Sequence, residues 1–272
     1  MCHVPLLNRV CRESYNDPLD VYELLKRRGM DLITVTDHDS IDAAETLRGR
    51  PDFFLSEEVT AELPSGNECH IGVYGIDESH HRGLQQRRKD APALMAYIRE
   101  QRLLCTINHA FSSLTGTRAL ADFQFFLDHI PVVEVRNATM LEACNAAAEE
   151  WAGHSGKAVM GGSDAHTLAP LARVFTEVPG ARNKNEFLDG VRAGRARIHG
   201  EHGGFRELTR IVVQIGADMM FDNVWTCALA PLFGLVPVIT GFQTAREWSF
   251  ASYWRSKACA VAVSPDLVRR AS

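Results

Sequence analysis

The sequence predicts an α/β fold built around a parallel sheet that is closed or nearly closed. Three observations carry that expectation. Short apolar runs alternate with helical patterns over about 200 residues. One run, Leu32-Ile33-Thr34-Val35-Thr36, flows straight into Asp37-His38-Asp39, as a buried parallel strand does when its C-terminal end faces a cleft. The same ending recurs, strand after strand closing on His, Asp or Glu, at the end where α/β proteins hold ligands. A chain of 272 residues is also long enough, since one α/β barrel takes about 250.

Each element has its own grounds. Met1 to Asn16 is too irregular for a good strand, although Val4 to Leu7 is apolar. Asp17-Pro18 opens a helix, with Asp as N-cap and Pro at the first helical position. Val21, Leu24 and Leu25 form its buried stripe and Gly29 closes it. After the Leu32 strand, Ile41 to Leu47 reads as a short helix, which Asp39 or Ser40 could also cap. Phe53 to Thr60 is a strand carrying Glu57 and Glu58, and a turn at Pro64-Ser65-Gly66-Asn67 leads to a strand over Cys69 to Tyr74. Ala91 to Gln101 is helical, and Leu103 to Ile107 is a buried strand ending in Asn108-His109. A helix over Thr117 to His129 precedes a strand over Pro131 to Val135, followed by Arg136 and Asn137. An alanine-rich helix spans Thr139 to His154, and a strand over Lys157 to Met160 stops at Gly161-Gly162-Ser163-Asp164-Ala165-His166. A strand near Arg173 to Val178 and a helix over Asn185 to Arg195 complete a domain drawn at 1–204.

Residues 205–272 read as a helical, apolar extension. Val224 to Phe242 contains no charged residue and approaches the ~20 residues needed to cross a bilayer. Pro231 and Pro237 interrupt it, whereas Trp248, Tyr253 and Trp254 with Arg246, Arg255 and Lys257 resemble an interfacial belt with basic flanks. Two readings stand: a buried hairpin on the domain, or membrane association through 224–242. The net charge of −5 argues against nucleic-acid binding by bulk electrostatics, without ruling on an oligonucleotide substrate. Seven cysteines, with no CxxC, suit reduced and mostly buried thiols. With no charged-then-apolar N-terminal order, a cytoplasmic location is expected, with the membrane alternative open.

The polar strand ends supply His38 with Asp37 and Asp39, Glu58, His70, His109, Glu134, and Asp164 with His166. Imidazole and carboxylate together suit zinc, iron or manganese. The other histidines have simpler explanations. His80-His81 falls in a polar loop, His129 and His154 end helices, and His199 to Gly203 reads as a glycine-rich turn.

Thr36-Asp37-His38-Asp39, Glu58-Val59-Thr60, the strand with His70, Asn108-His109, Glu134-Val135-Arg136-Asn137 and Gly162-Ser163-Asp164-Ala165-His166 resemble the PHP (polymerase and histidinol phosphatase) superfamily. The ordered set covers roughly Asp17 to Gly203. The resemblance implies a distorted (β/α)7 TIM-like barrel with two or three divalent ions (zinc, manganese or iron) at the strand ends. It implies phosphoester hydrolysis of a small phosphorylated substrate by metal-activated water. Glu58 would bridge two ions, His70 and His109 would complete one site, Asp164 would bind the other ion, and His38 with His166 would hold a third. Asp37 and His38 are catalytic candidates. Arg136 and Arg173 are candidate phosphate clamps, although surface ion pairs explain them as well.

One departure stands out. The family's first strand carries His-x-His, and here only His3-Val4-Pro5 lies in that region. Either Pro5 replaces the second histidine or the motif lies upstream of Met1. The second fits better, because proline is a poor residue for a central ladder and no convincing first strand precedes Asp17. An ion site short of a ligand predicts impaired activity, and leaves open an inactive module with a structural or regulatory role, or hydrolysis of another bond.

Overall fold

The computed structural model describes residues 14–263; the expectations for a first strand and for His3 and Pro5 lie outside the described residues. Helix α1 (Pro18–Arg27) begins as its sequence requires, with the Asp17 carboxylate accepting from the Leu19 amide. Gly29 follows at φ +83°, a conformation that glycine reaches without Cβ strain. The Leu32 run departs from the expected buried ladder. It touches the sheet by isolated parallel bridges, Ile33 to Phe53 and His38 to Glu58. Thr34 sends its hydroxyl to the Phe54 carbonyl and to Ser56, and only Ile33 of the run is buried.

After the short helix α2 (Asp42–Glu45), strands β1 (Ser56–Glu62) and β2 (Glu68–Tyr74) form an antiparallel hairpin about the Pro64–Asn67 turn. Helices α3 (Glu78–Gln85) and α4 (Ala91–Glu100) connect β2 to β3 (Leu104–Ile107), which is antiparallel to β2. Parallel ladders begin there, with α5 (Leu120–His129), β4 (Val132–Asn137), α6 (Glu142–Ser155) and β5 (Ala158–Gly162). The sheet order is β1-β2-β3-β4-β5. Strand β6 (Val174–Glu177), helix α7 (Lys184–Arg192) and strand β7 (Arg197–Gly200) follow, and β6 and β7 form a separate antiparallel pair.

The expected (β/α)7 TIM-like barrel is therefore corrected. Among the described residues there is a mixed five-stranded sheet and a two-stranded one, and no closed barrel. Closure fails at both edges. Beside β1 the Leu32 run makes isolated bridges. Beside β5 the connection to β6 runs through the Thr176 hydroxyl, hydrogen-bonded to the amide and carbonyl of Gly161, instead of a ladder. Alternating apolar runs report that strands exist but not which way they run.

Two smaller readings also change. His80-His81 belongs to α3, whose N-cap Asp77 accepts from the His80 amide, so it is not loop. His199 lies in β7 and meets Glu177 at 2.8 Å, so the expected turn is a strand end. Cys69, Cys105, Cys144 and Cys259 are buried free thiols and Cys227 is exposed.

Helix α8 (Phe205–Asp222), a 3-10 stretch (Val224–Leu235) and α9 (Val236–Val263) complete the described chain. The second half of α9 joins the main core. Ala251, Trp254 and Ala258 pack in the cluster that holds Phe111, Phe123, Phe126 and Trp151. Trp254 lies 5.4 Å from the Phe123 ring centre. By contrast Val224, Trp225, Leu232, Leu235, Ile239 and Phe242 are exposed.

Candidate metal centre

The hairpin brings the first donors together. Strand periodicity turns Glu57 and Glu58 to opposite faces. Glu57 is buried against α3, where His81 Nδ1 lies 2.7 Å from it, and burial raises its carboxyl above the ordinary range. Glu58 faces the other way and meets His38 Nε2 at 3.1 Å. The bridge from His38 to Glu58 fixes their register, with the Glu58 amide donating to the Asp37 carbonyl and the Asp39 amide to the Glu58 carbonyl.

His70, on the adjacent strand, places Nδ1 3.7 Å from Glu58 Oε1, and His109 Nε2 lies 3.5 Å from the same oxygen. The two imidazole nitrogens are 3.2 Å apart. His38 and His70 stack edge to face at 4.4 Å, as His70 and His109 do at 4.9 Å. Asn108 donates to Glu58 Oε1 at 2.7 Å and is itself held by the Thr106 hydroxyl. Beyond His109, Glu134 accepts from the His109 amide at 2.8 Å, and Asn137 donates to Glu134 and, at 3.0 Å, to Asp164 Oδ2. His166 lies against its own loop, 3.6 Å from Asp164 Oδ1.

The backbone is strained at the same places. Asp39, His109 and Asp164 adopt positive φ of 53°, 30° and 44°, which costs roughly 1–3 kcal/mol per residue and persists where surrounding structure enforces it. Each of these residues stands at a strand end beside the cluster.

Electrostatics separate the two central histidines. Burial, then His109 and His38, push the His70 imidazole well down, so it is neutral. Burial opposes charge on His109 too, but its hydrogen bond to Glu58 and the nearby carboxylates outweigh burial and raise it to about 9. Burial lifts Glu134 to about 7. Burial also works to raise Asp164, but His166, His109, Asn137 and His38 together hold it below the ordinary range.

This donor set fits a divalent cation. Two imidazole nitrogens and a carboxylate oxygen approach one another, a mixed donor set that zinc, iron or manganese accepts. The donor atoms of His38, Glu58 and His70 lie within 4.8 Å of one another, a spacing that one ion can span.

Of the residues expected from sequence, His38, Glu58, His70 and His109 come together directly, and Asp164 joins through Asn137. His166 meets Asp164, while the donor atoms grouped with His38 are those of Glu58 and His70. Asp37 contributes its carbonyl to the His38–Glu58 register. Arg136 turns to Glu149 at 3.7 Å and to the Gly200 carbonyl; Arg173 pairs with Glu207 at 3.0 Å. Asp39 braces the hairpin, accepting from the Thr60 amide and from Arg88. Sequence reasoning passed over Asn108 and Asn137, although both stand inside the motifs already read. Neutral amides carry no ligand signature, and only the contacts they make reveal them.

An α/β domain with buried imidazoles and carboxylates gathered along one hairpin and the neighbouring strand ends defines the class of candidate metal-binding domains. A model of the PHP-associated family (PHP_C) matches residues 143–196, a span that includes Asp164 and His166. The match spans 54 of the chain's 272 residues and, with the order of the motifs, marks a likeness to the PHP superfamily. No curated protein matches it. Among solved structures, PsfC from Pseudomonas syringae PB-5123 is similar in fold, with a TM-score of 0.53 and 18% identity over 80% of this chain and 94% of that one. The lesion-specific endonuclease PfuEndoQ from Pyrococcus furiosus matches with a TM-score of 0.49 and 17% identity, over 69% of this chain and 55% of that one. A protein described as a candidate metal-dependent phosphoesterase, from Bifidobacterium adolescentis, matches at 0.45 and 15%, over 57% and 84%.

Proposed function

We propose that the chain is a metal-dependent hydrolase, and within that class a phosphoesterase acting on a small phosphate ester or nucleotide. The convergence of His38, Glu58, His70 and His109 carries the proposal. Glu58, His70, His109 and Asp164 would hold the ions of a bridged pair, and His38 with His166 would serve a further one. Bound divalent ions supply Lewis-acid neutralisation of phosphoryl oxygens and make nearby water more acidic.

The chain's own residues do the rest. Asn108 fixes one oxygen of Glu58, so that carboxylate presents a constant face. Glu134 and Asn137 hold the turns that carry His109 and Asp164. Asp37 and His38, adjacent at one strand end, are the proposed proton handlers. Arg136 is the proposed phosphate grip, which requires it to leave Glu149, a weak partner at 3.7 Å.

The test starts with metal analysis of protein purified without chelator. A release screen with phosphomonoesters, nucleotides and short oligonucleotides follows, under manganese, zinc or iron. Expected are bound metal that falls in His70→Ala and phosphate release that chelator abolishes. Absence of metal defeats the reading. Metal without turnover on any phosphoester assigns the domain to a structural or regulatory role instead.

We further propose a cytoplasmic domain whose 224–242 segment rests at a membrane interface. Exposed Val224, Trp225, Leu232 and Phe242 support contact with an apolar phase. By length and composition the helical stretch Val224–Val263 could cross a membrane, but Glu247, Trp254 and Ala258 are buried in the domain, which favours a surface anchor. Flotation with anionic vesicles by the full chain, lost when Trp225 and Phe242 are changed to Ser, supports the anchor; full-length protein that stays with the soluble fraction overturns it.

A further inference from the structure

We propose a second metal site, remote in sequence from the strand-end cluster, formed by Glu150 and His154 of α6 with Cys259 of α9 and selective for a thiophilic divalent cation of the zinc class. Glu150 and His154 are four residues apart on one helix, so both side chains lie on one face. Cys259 comes from the helix packed on that face. One ligand atom from each of the three lies within 4.8 Å of the others.

The surrounding contacts order the three side chains. Arg255 reaches Glu150 Oε2 at 2.5 Å with both Nε and Nη2, which holds the carboxylate in place. His154 Nδ1 lies 2.8 Å from the Glu150 carbonyl oxygen. That oxygen can only accept, so Nδ1 carries the proton and Nε2 keeps the lone pair a cation needs. The Cys259 thiol is buried beside Glu150, and burial with that carboxylate pushes it up, so it keeps its proton until an ion displaces it. Thiolate, imidazole and carboxylate are a mixed set that zinc accepts at tetrahedral geometry, with water as a fourth ligand. The strand-end cluster, with no sulfur donor, is chemically distinct.

Binding exchanges one proton. The sulfur–hydrogen bond of Cys259 breaks, the proton goes to solvent, and a sulfur–metal bond forms; thiolate and carboxylate offset the ion's charge, with the Arg255 guanidinium remaining beside Glu150. The result is a cross-link from Glu150 and His154 of α6 to Cys259 of α9, pinning α9 to the domain.

Cobalt(II) tests this, because a cobalt–thiolate bond gives a near-ultraviolet charge-transfer band that oxygen and nitrogen ligands do not. Metal-free full-length protein titrated with cobalt should develop the band to saturation, and zinc should abolish it. Cys259→Ser should lose the band. His154→Ala, a change at an exposed position, should weaken cobalt binding by at least about 10-fold while leaving the far-ultraviolet circular dichroism unchanged. Cys227→Ser and His70→Ala should keep the band, which separates this site from the strand-end cluster. No band at saturating cobalt, or a band that survives Cys259→Ser, overturns the proposal. If Cys259→Ser does not fold, His154→Ala decides alone: unaltered cobalt affinity overturns it.

Discussion

Asn108 governs how Glu58 is presented. Its amide donates to Oε1, the oxygen also nearest His70 and His109, and Thr106 fixes the amide from beneath. Asn108→Ala is therefore expected to weaken metal affinity or turnover by about 10–100-fold, the usual cost of losing a group that orients a ligand. Isothermal titration with manganese checks this, and an unchanged affinity and rate refute it. The histidine pair makes a second prediction, for chelated protein. His109 is raised from 6.5 to about 9 in the fold, so the stability it contributes is complete below 6.5 and is lost as pH climbs through 9. His70, pushed down, is neutral in both folded and unfolded chains above 6.5 and adds nothing there. Glu134, raised to about 7, destabilises increasingly between 4.5 and 7 and then levels. From pH 7 to 9 the metal-free protein should lose stability, read as a falling urea midpoint. A midpoint that rises over this window counts against the Glu58–His109 pairing.

At the scale of elements, β2 and α9 do the work that a closed barrel was expected to do. Gly72 of β2 faces Thr106 and Tyr74 so closely that an added Cβ would lie 2.7 Å from the Thr106 hydroxyl and 2.7 Å from the Tyr74 hydroxyl. Gly72→Ala should displace Thr106, and through it Asn108, costing roughly 1–3 kcal/mol of stability along with metal affinity. Wild-type thermal midpoint and affinity in that variant would contradict the packing argument. On α9, Glu247 is buried and its oxygens accept the Ser113 amide at 3.2 and 3.1 Å, the Ser113 hydroxyl, and Gln243 at 2.8 Å. Ser113 lies in the turn that follows His109. Glu247→Ala leaves those donors unsatisfied and should cost about 1–3 kcal/mol, whereas Glu247→Gln, which still accepts, should cost less. Equal losses in the two variants would show that the carboxylate acts only by filling space.

For the whole molecule, local rules were legible and long-range ones were not. Asp17-Pro18 announced a helix because its cap lies two residues from the amide it satisfies. Residue chemistry singled out His38, Glu58, His70 and His109, although Glu58 and His70 lie inside β1 and β2 and not at strand ends. Strand direction is not written locally, so the hairpin of β1 and β2 and the separate β6–β7 pair escaped a pattern that shows only alternation. Nor did any local feature tie Glu247 to Ser113, 134 residues earlier. A chain ending at Gly204 would lack Glu247 and would uncover the Phe123 and Trp151 side chains that Trp254 and its neighbours cover. Such a truncation should bind a hydrophobic dye and melt without cooperativity; a cooperative transition like that of the full chain would contradict this.

The Glu247–Ser113 contact also sets a clock. Translation delivers the chain from its N-terminus at about 5–20 residues per second, so His109 and its turn are made well before the helix that braces them. Until Glu247 has left the ribosome tunnel, the turn after His109 lacks its buried acceptor. The nascent domain thus spends seconds with its strand-end donors synthesised but unbraced, the interval in which chaperones, proteases or a stray metal ion meet them first.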